Sequence, residues 1–304
     1  MEKELLHLVE IVSAAADAAI LEELLLAAGF SPSAYTNLES RLASTYVIAE
    51  NADEAADILL RIKVQLPDWE GLLNQPLRGV EQRTMRQEDW SESWKKHFHT
   101  FRASERLMVK PSWEEYHAQP EDLVLKLDPG MCFGTGYHGT TKACLQFLDQ
   151  LQKQIGSDAS FLDAGCGSGI LSIGARLLGY NPVFAFDYDP QAVETARENL
   201  TRAGFSEVTL AVADVKDYIP PQPCRVVVAN ILAAVLLENA VNILRFLDLS
   251  AEPAFLILSG ILNEQYEEIR QHFTALGAEQ MATRTLEEWT SGCFRVVNPL
   301  KANE

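Results

Sequence analysis

The chain has 304 residues, enough to bury a full core and to form two domains. With 47% hydrophobic and 22% charged residues it has an ordinary soluble balance, and its notable uncharged run, near Val226 to Leu237, is too short to span a bilayer. A net charge of −18 opposes general binding to a phosphate backbone and favours a basic partner, such as a lysine-bearing protein.

In chain order, Leu5 to Val12 alternates like a strand, and Ala14 to Ala28 has helical periodicity that stops at Gly29. Ala34 to Glu39 and Thr45 to Ala49 read as short strands. Ala52 to Gln65 reads as a helix capped by Asn51, and Gly79 to Arg86 as a last strand. The β-α-β-β-α-β order predicts an α+β, ferredoxin-like domain over residues 1–86. Acid is concentrated there, with 14 acidic and 6 basic side chains in residues 1–83.

Residues 87–127 read as a linker helix and a hairpin. Trp90, Trp94 and Phe98 recur every four residues and share a helix face, a packing stripe. Lys95, Lys96, Arg102 and Arg106 nearby allow no more than weak contact with nucleic acid. Arg106 to Lys110 and Leu123 to Leu127 are expected to pair as the hairpin.

From residue 128 to 304 helix and strand alternate. Strands are expected near Ser160–Asp163, Val183–Asp187, Val208–Ala211, Val226–Ala229 and Ala254–Ser259, with helices at Gln191–Ala203 and Asn263–Leu276 among those between. Alternation implies a doubly wound, mostly parallel α/β sheet covered on both faces. Gln280–Thr285 and Cys293–Val297 flank an expected loop at Thr290 to Gly292. Such a final antiparallel hairpin characterises the Rossmann-like class I methyltransferase fold. The scattered cysteines Cys132, Cys144, Cys166, Cys224 and Cys293 form no Cys-x-x-Cys. They read as reduced thiols of a cytoplasmic protein without a metal site. The start, Met-Glu-Lys-Glu, lacks a signal-peptide layout.

The densest chemistry lies in Phe161-Leu-Asp163-Ala-Gly165-Cys-Gly167-Ser-Gly169. Three glycines let the backbone turn tightly against a ligand, and Ile170 to Leu178 follows as a helix whose first N–H groups face the turn. A dinucleotide fingerprint wants a third glycine where Ile170 stands, and Asp163 would repel a pyrophosphate. An acid there instead suits the ammonium of a methionine moiety. Asp187, 22 positions after Gly165, closes the next strand and can accept from both ribose hydroxyls. Together these point to S-adenosylmethionine. Taken alone, the glycines would be a plain strand–helix turn and Asp187 a helix cap.

Two further segments join that site. Asp128-Pro-Gly-Met-Cys-Phe133-Gly-Thr135-Gly-Tyr-His138-Gly-Thr140-Thr141 is glycine-rich and precedes a helix that Thr140 or Thr141 can cap. It reads as a lid or floor with Phe133 against the cofactor and Thr135, His138 and Thr141 as its other candidate contacts; taken alone it would be an ordinary loop with a capped helix, and His138 a structural hydrogen-bonding residue. An aromatic face such as Phe133 tolerates a sulfonium cation. Asn230 ends the fourth strand, where ligands bind in open α/β sheets, and lies beside the transferred methyl. Ile231 and Leu232 follow it, rather than the Pro-Pro-Tyr that accompanies nucleobase or glutamine substrates. Asp214, after the third strand, can accept from an adenine amino group.

These segments resemble the PrmA family, bacterial methyltransferases that modify the ribosomal protein of the large-subunit stalk base. The resemblance rests on Glu88-Asp89-Trp90 through Trp94 and Phe98, Pro111-Ser-Trp113, Asp128 through Thr141, Asp163 through Leu171, Asp187-Tyr-Asp-Pro190, Ala229-Asn-Ile-Leu232 and Leu258-Ser-Gly-Ile261. It covers roughly the last 215 residues in family order. It implies cofactor contacts at Thr141, Gly165, Asp187 and Asn230, with Phe133 and His138 in the loop above. It also implies a substrate-recognising N-terminal domain and trimethylation of lysine ε-amines and of the N-terminal amine. The chain departs from the pattern at Gly139, where Pro or Glu is usual, and at Met131-Cys132. Residues 1–85 match in pattern only.

The expected enzyme is therefore a monomeric S-adenosylmethionine-dependent protein-lysine methyltransferase with Asn230 as its catalytic residue. Lysine methylation of another protein, a non-catalytic cofactor-binding protein and a nicotinamide oxidoreductase are the rivals. Asp163 and the missing third glycine argue against the last.

Overall fold

The computed structural model describes residues 5–30, 32–37, 41–86, 99–128, 139–250 and 253–297. The described residues divide into two compact units, those up to residue 86 and those from residue 99 on.

In the first unit β1 (Leu5–Ala14), β2 (Pro32–Asn37), β3 (Leu42–Ala49) and β4 (Gly79–Arg86) form an antiparallel sheet in the order β2-β3-β1-β4. Helices α1 (Ala18–Ala27) and α2 (Ala52–Glu70) supply the other half of its core. Val9 and Ile11 of β1 pack with Leu21, Leu25, Val47, Ile58 and Ile62, which follows from the period-two alternation of a strand. Asn51 caps α2 as expected, its side chain accepting from the N–H groups of Asp53 and Glu54.

Strand β2 starts at Pro32 and not Ala34, β3 starts at Leu42 and not Thr45, and β1 runs on to Ala14; both helices differ as well. The first predicted helix is split, because Ala15–Asp17 is a 3-10 turn. Asp17 is pulled inward there to accept from Asn74 and Gln75. Helix α2 continues past Gln65 to Glu70 with Pro67 inside it, and Trp69 at its end is buried in the core. Tertiary burial outweighs the local cost of a helical proline.

The second unit begins with a small sheet, β5 (Phe101–Arg102), β6 (Leu107–Lys110) and β7 (Leu123–Lys126). The expected hairpin of β6 with β7 is corrected: these two strands pair in parallel, and the antiparallel partner of β6 is β5. The twelve residues from Pro111 to Asp122 are long enough for a parallel crossover. Asp122 fastens the crossover, accepting from Arg102 (2.8 Å) and Tyr116 (2.5 Å).

The main sheet has seven strands in the order β10-β9-β8-β11-β12-β14-β13. Strands β8 (Phe161–Ala164), β9 (Val183–Asp187), β10 (Thr209–Val212), β11 (Val226–Asn230) and β12 (Ala254–Ser259) are parallel. Strands β13 (Ala278–Leu286) and β14 (Trp289–Val296) form the antiparallel hairpin at one edge. Helix α3 (Gly139–Ile155) precedes β8, and between the strands run α4 (Ile170–Leu178), α5 (Pro190–Ala203), α6 (Ala233–Glu238), α7 (Ala240–Arg245) and α8 (Tyr266–Ala275). One face of the sheet packs Leu162, Phe186, Ala229, Leu258 and Phe294 against Leu236, Ile243 and Phe273. Residues of the opposite pleat, Ala185 among them, pack with Cys166 and Ala196.

The loop expected at Thr290–Gly292 is also corrected, because these residues are the start of β14 and the turn is at Glu287 and Glu288. Gly292 is there for packing: a Cβ would lie 2.3 Å from the Tyr266 hydroxyl. Ser291 is buried and shares a 2.7 Å hydrogen bond with Ser259.

Candidate functional site

Strand register brings the motifs to one edge of the sheet. Ala164 pairs with Phe186 and with Ala229, and Ala229 pairs with Leu258. One residue further along, Asp187 and Asn230 therefore stand at the carboxyl ends of their strands, with Asn230 beside Ser259. This is the end of an open parallel sheet at which ligands bind.

The glycine turn is built as its spacing requires. Gly165, Gly167 and Gly169 have φ values of 78°, 50° and 78°. A Cβ on Gly165 would lie 2.3 Å from Cγ2 of Ile231, the residue after Asn230. A Cβ on Gly260 would lie 2.5 Å from the Ile231 carbonyl. The turns after β8, β11 and β12 thus touch, and only glycine fits at two of the contacts.

Asp187 clamps the turn. Its Oδ2 accepts from Gly167 N (2.9 Å) and its Oδ1 from Asp189 N (3.1 Å). Burial raises its carboxyl above the ordinary range, against these backbone bonds. The cap of α5 is Asp189, which accepts from Gln191 N, so the helix-cap reading of Asp187 does not hold.

Asp163 is fully buried. Alternation along β8 turns it towards α4, where its Oδ2 accepts from Ser172 N (3.1 Å) and Ser172 Oγ (2.7 Å). Its Oδ1 has no hydrogen-bond partner among the described residues. Burial pushes this carboxyl up to about 7; the charge of Asp187 adds to the rise and Ser172 opposes it.

Thr140 and Thr141 lie inside α3 and are buried, so neither is the cap ahead of the helix. Ser259 Oγ donates to the Thr140 carbonyl (3.3 Å), which ties the first turn of α3 to the end of β12. Thr141 Oγ1 and Asn230 Oδ1, like Asp163 Oδ1, are buried without a partner among the described residues. Asp214 follows Ala213, whose N–H donates to the Asp187 carbonyl (2.9 Å); it is exposed, and its carboxylate accepts from Lys216 N (3.0 Å) and pairs with Lys216 Nζ (3.3 Å). Phe133, Thr135, His138 and the Trp90–Phe98 stripe lie outside the described residues.

Sequence reasoning left Ser172, Ile231 and Gly260 without a role. Ser172 had a readable signal, being the third residue of a helix whose cap position is a glycine. Gly260 and Ile231 had none, since only the fold brings them together.

The unpartnered oxygens, the glycine cradle and the clamped acid fit a ligand bearing donors such as an ammonium and hydroxyls. The fold with this site defines a class I methyltransferase, and the methyl donor of the class is S-adenosylmethionine. The family model "Ribosomal protein L11 methyltransferase (PrmA)" matches residues 16–296, and the chain belongs to that family. Over 271 residues it is 36% identical to the "Ribosomal protein L11 methyltransferase" of Herpetosiphon aurantiacus, covering 83% of this chain and 81% of the relative. Its identity to the protein of the same name from Pelobacter propionicus is 41% over 214 residues, 70% of this chain and 68% of the relative. The crystal structure of a ribosomal protein L11 methylase from Lactobacillus delbrueckii subsp. bulgaricus aligns with a TM-score of 0.58 and 25% identity. That alignment covers 66% of this chain and all of the other. Among the described residues no helix is long and apolar enough to cross a membrane.

Proposed function

We propose that this chain transfers methyl groups from S-adenosylmethionine to lysine ε-amines, and to the N-terminal amine, of ribosomal protein L11. The observation that carries the reading is the set of buried oxygens on Thr141, Asp163 and Asn230 that have no partner among the described residues, on segments joined through Ser259, Ile231 and the glycine turn. A buried polar group without a partner is costly, about 1–3 kcal/mol each, and persists where a ligand meets it. The names of the relatives support the substrate, and the net charge of −18 suits a basic, lysine-bearing protein.

In this reading the residues divide the work. Asp163 and Thr141 hold the methionine end, the backbone at Gly165, Gly167 and Gly169 lies along the ligand, and Asp187 takes the ribose. Phe133, Thr135 and His138 belong to the loop over the site, and Asp214 serves the adenine if it exchanges its Lys216 contact. Residues 1–86 recognise the protein substrate, 87–127 link, and 128–304 carry the chemistry. The enzyme works as a monomer in the cytoplasm.

The bound cofactor supplies an electrophilic methyl on a sulfonium. The chain's task is to present a neutral amine in line with it, and alignment of this kind supplies several kcal/mol. A lysine of pKa about 10.4 must first lose a proton, costing roughly 4–5 kcal/mol at neutral pH. A partly desolvated pocket reduces that cost. Asn230 Oδ1 is the acceptor that orients the amine, and solvent takes the proton.

The test is intact-mass spectrometry of ribosomal protein L11 incubated with enzyme and S-adenosylmethionine. Mass gains of one methylene per transfer are expected. No gain, with cofactor shown to bind, moves the search to other lysine-bearing proteins. Asn230→Ala is expected to lower kcat by roughly 10–100-fold with little change in cofactor affinity. Full activity in that variant would remove Asn230 from the mechanism.

A further inference from the structure

Helix α4 carries no side-chain cap of its own. Its cap position is Gly169, at a φ of 78°, where a Cβ would meet the Ala196 Cβ at 3.1 Å. The first N–H groups of the helix need an acceptor from elsewhere. Asp163 provides it from the neighbouring strand, and both bonds from Ser172 end on the same oxygen, Oδ2. The other oxygen, equally buried, receives nothing among the described residues. A cap explains the first oxygen. It leaves the second unexplained, because the only effect of capping there is to fix the direction in which Oδ1 points.

We infer that Ser172 is a positioning residue for cofactor recognition: it pins Oδ2 of Asp163 so that Oδ1 is presented to the ammonium of the methionine end. The inference rests on the cofactor reading given under Proposed function. Ser172 also favours the charged form of Asp163, against burial and against Asp187 on β9. Among the described residues Cys144 of α3 also interacts with Asp163; burial pushes its thiol up to about 12, so it stays neutral at physiological pH.

The experiment is equilibrium binding of two compounds to wild type and Ser172→Ala between pH 6 and 8. S-adenosylhomocysteine carries the amino-acid end, and 5′-methylthioadenosine lacks it. Ser172→Ala is expected to weaken S-adenosylhomocysteine by roughly tenfold at pH 7, the size of a charge-assisted hydrogen bond. The loss should grow as pH falls, while 5′-methylthioadenosine binds as before. Equal losses for both compounds, or none, would overturn the inference and leave Ser172 a helix residue only. If the alanine variant does not fold, Ser172→Cys, of similar size and a weaker donor, must show the same selective loss in smaller degree. A wild type that binds neither compound overturns the cofactor reading itself, which is a separate result.

Discussion

Two aspartates, one in each unit, are fully buried, and they are satisfied to different degrees. In the first unit Asp17 Oδ1 accepts from Asn74 N (2.8 Å) and Asn74 Nδ2 (2.7 Å), and its Oδ2 accepts from Gln75 N (3.0 Å). Both oxygens are spent on holding a loop. In the second unit Asp163 spends one oxygen on Ser172, and the other has no partner among the described residues. The same residue type at the same depth is structural in one place and exposes an unmet demand in the other. Burial alone therefore does not mark a functional acid. What separates these two is the donor count on each oxygen, because an unmet acceptor in the interior is costly unless a ligand completes it.

The comparison is broken most severely at the glycines. Gly29 and Gly165 have nearly the same backbone, with φ values of 81° and 78°. Around Gly29 a Cβ would meet nothing within 4 Å, whereas at Gly165 it would lie 2.3 Å from Ile231 Cγ2. Gly29→Ala should cost only the left-handed conformation, about 1–2 kcal/mol, with cofactor affinity unchanged. Gly165→Ala adds overpacking of about 1–3 kcal/mol and displaces the turn. S-adenosylhomocysteine affinity should fall by on the order of a hundredfold. Chemical denaturation and calorimetric titration of the two variants decide it. Equal affinity in both would mean that the turn does not carry the ligand.

Next in size is the pair of aspartates itself. Asp17→Asn places an amide donor among donors and should destabilise by about 1–3 kcal/mol, without altering S-adenosylhomocysteine binding. Asp163→Asn keeps an acceptor for Ser172 and turns an NH2 towards the bare side. Its stability at pH 7 should match or exceed wild type, while affinity falls at least about tenfold. If Asp163→Asn instead unfolded the protein and bound normally when folded, the two aspartates would be alike, both structural.

Much of this contrast was legible in the chain itself. Period-two and helical patterns located β9, β12 and β4 to the residue, since each is bounded by turn residues and runs unbroken between them. The glycine spacing and the acids at 163 and 187 marked the tight turn and the strand ends that make up the candidate site, because such features leave local signals. What stayed hidden depends on contacts distant in sequence. That β6 and β7 run parallel follows from how the crossover is fastened by Arg102 and Tyr116 to Asp122, not from either strand. Gly292 reads as a turn residue until Tyr266 is packed against it. The glycine ahead of α4 hints that Ser172 needs an outside acceptor, but only the fold shows that its N–H and hydroxyl both end on Asp163.

The smallest effect is also the one with the clearest sign. The Asp163 carboxyl lies at about 7 in the fold, against an ordinary value of 3.8. A carboxyl raised on folding contributes stability that is fully present below its unfolded value and is lost as pH rises through the folded one. The enzyme without cofactor should therefore lose stability from this group between about pH 4 and pH 7. Asp187 is raised as well, again by burial, so the absolute curve mixes the two. Comparing wild type with Asp163→Asn isolates the first: the variant should gain on wild type as pH rises from about 4 to 7 and level off above that. An ammonium ligand reverses the preference, because it binds the charged carboxylate. S-adenosylhomocysteine affinity of the wild type should rise about tenfold from pH 6 to pH 8, and that of the variant should stay flat. Denaturation midpoints and binding titrations at four pH values measure both. Parallel stability curves for the two proteins would mean that Asp163 ionises as freely as a surface acid, and its bare oxygen would then be in contact with water, not waiting for a ligand.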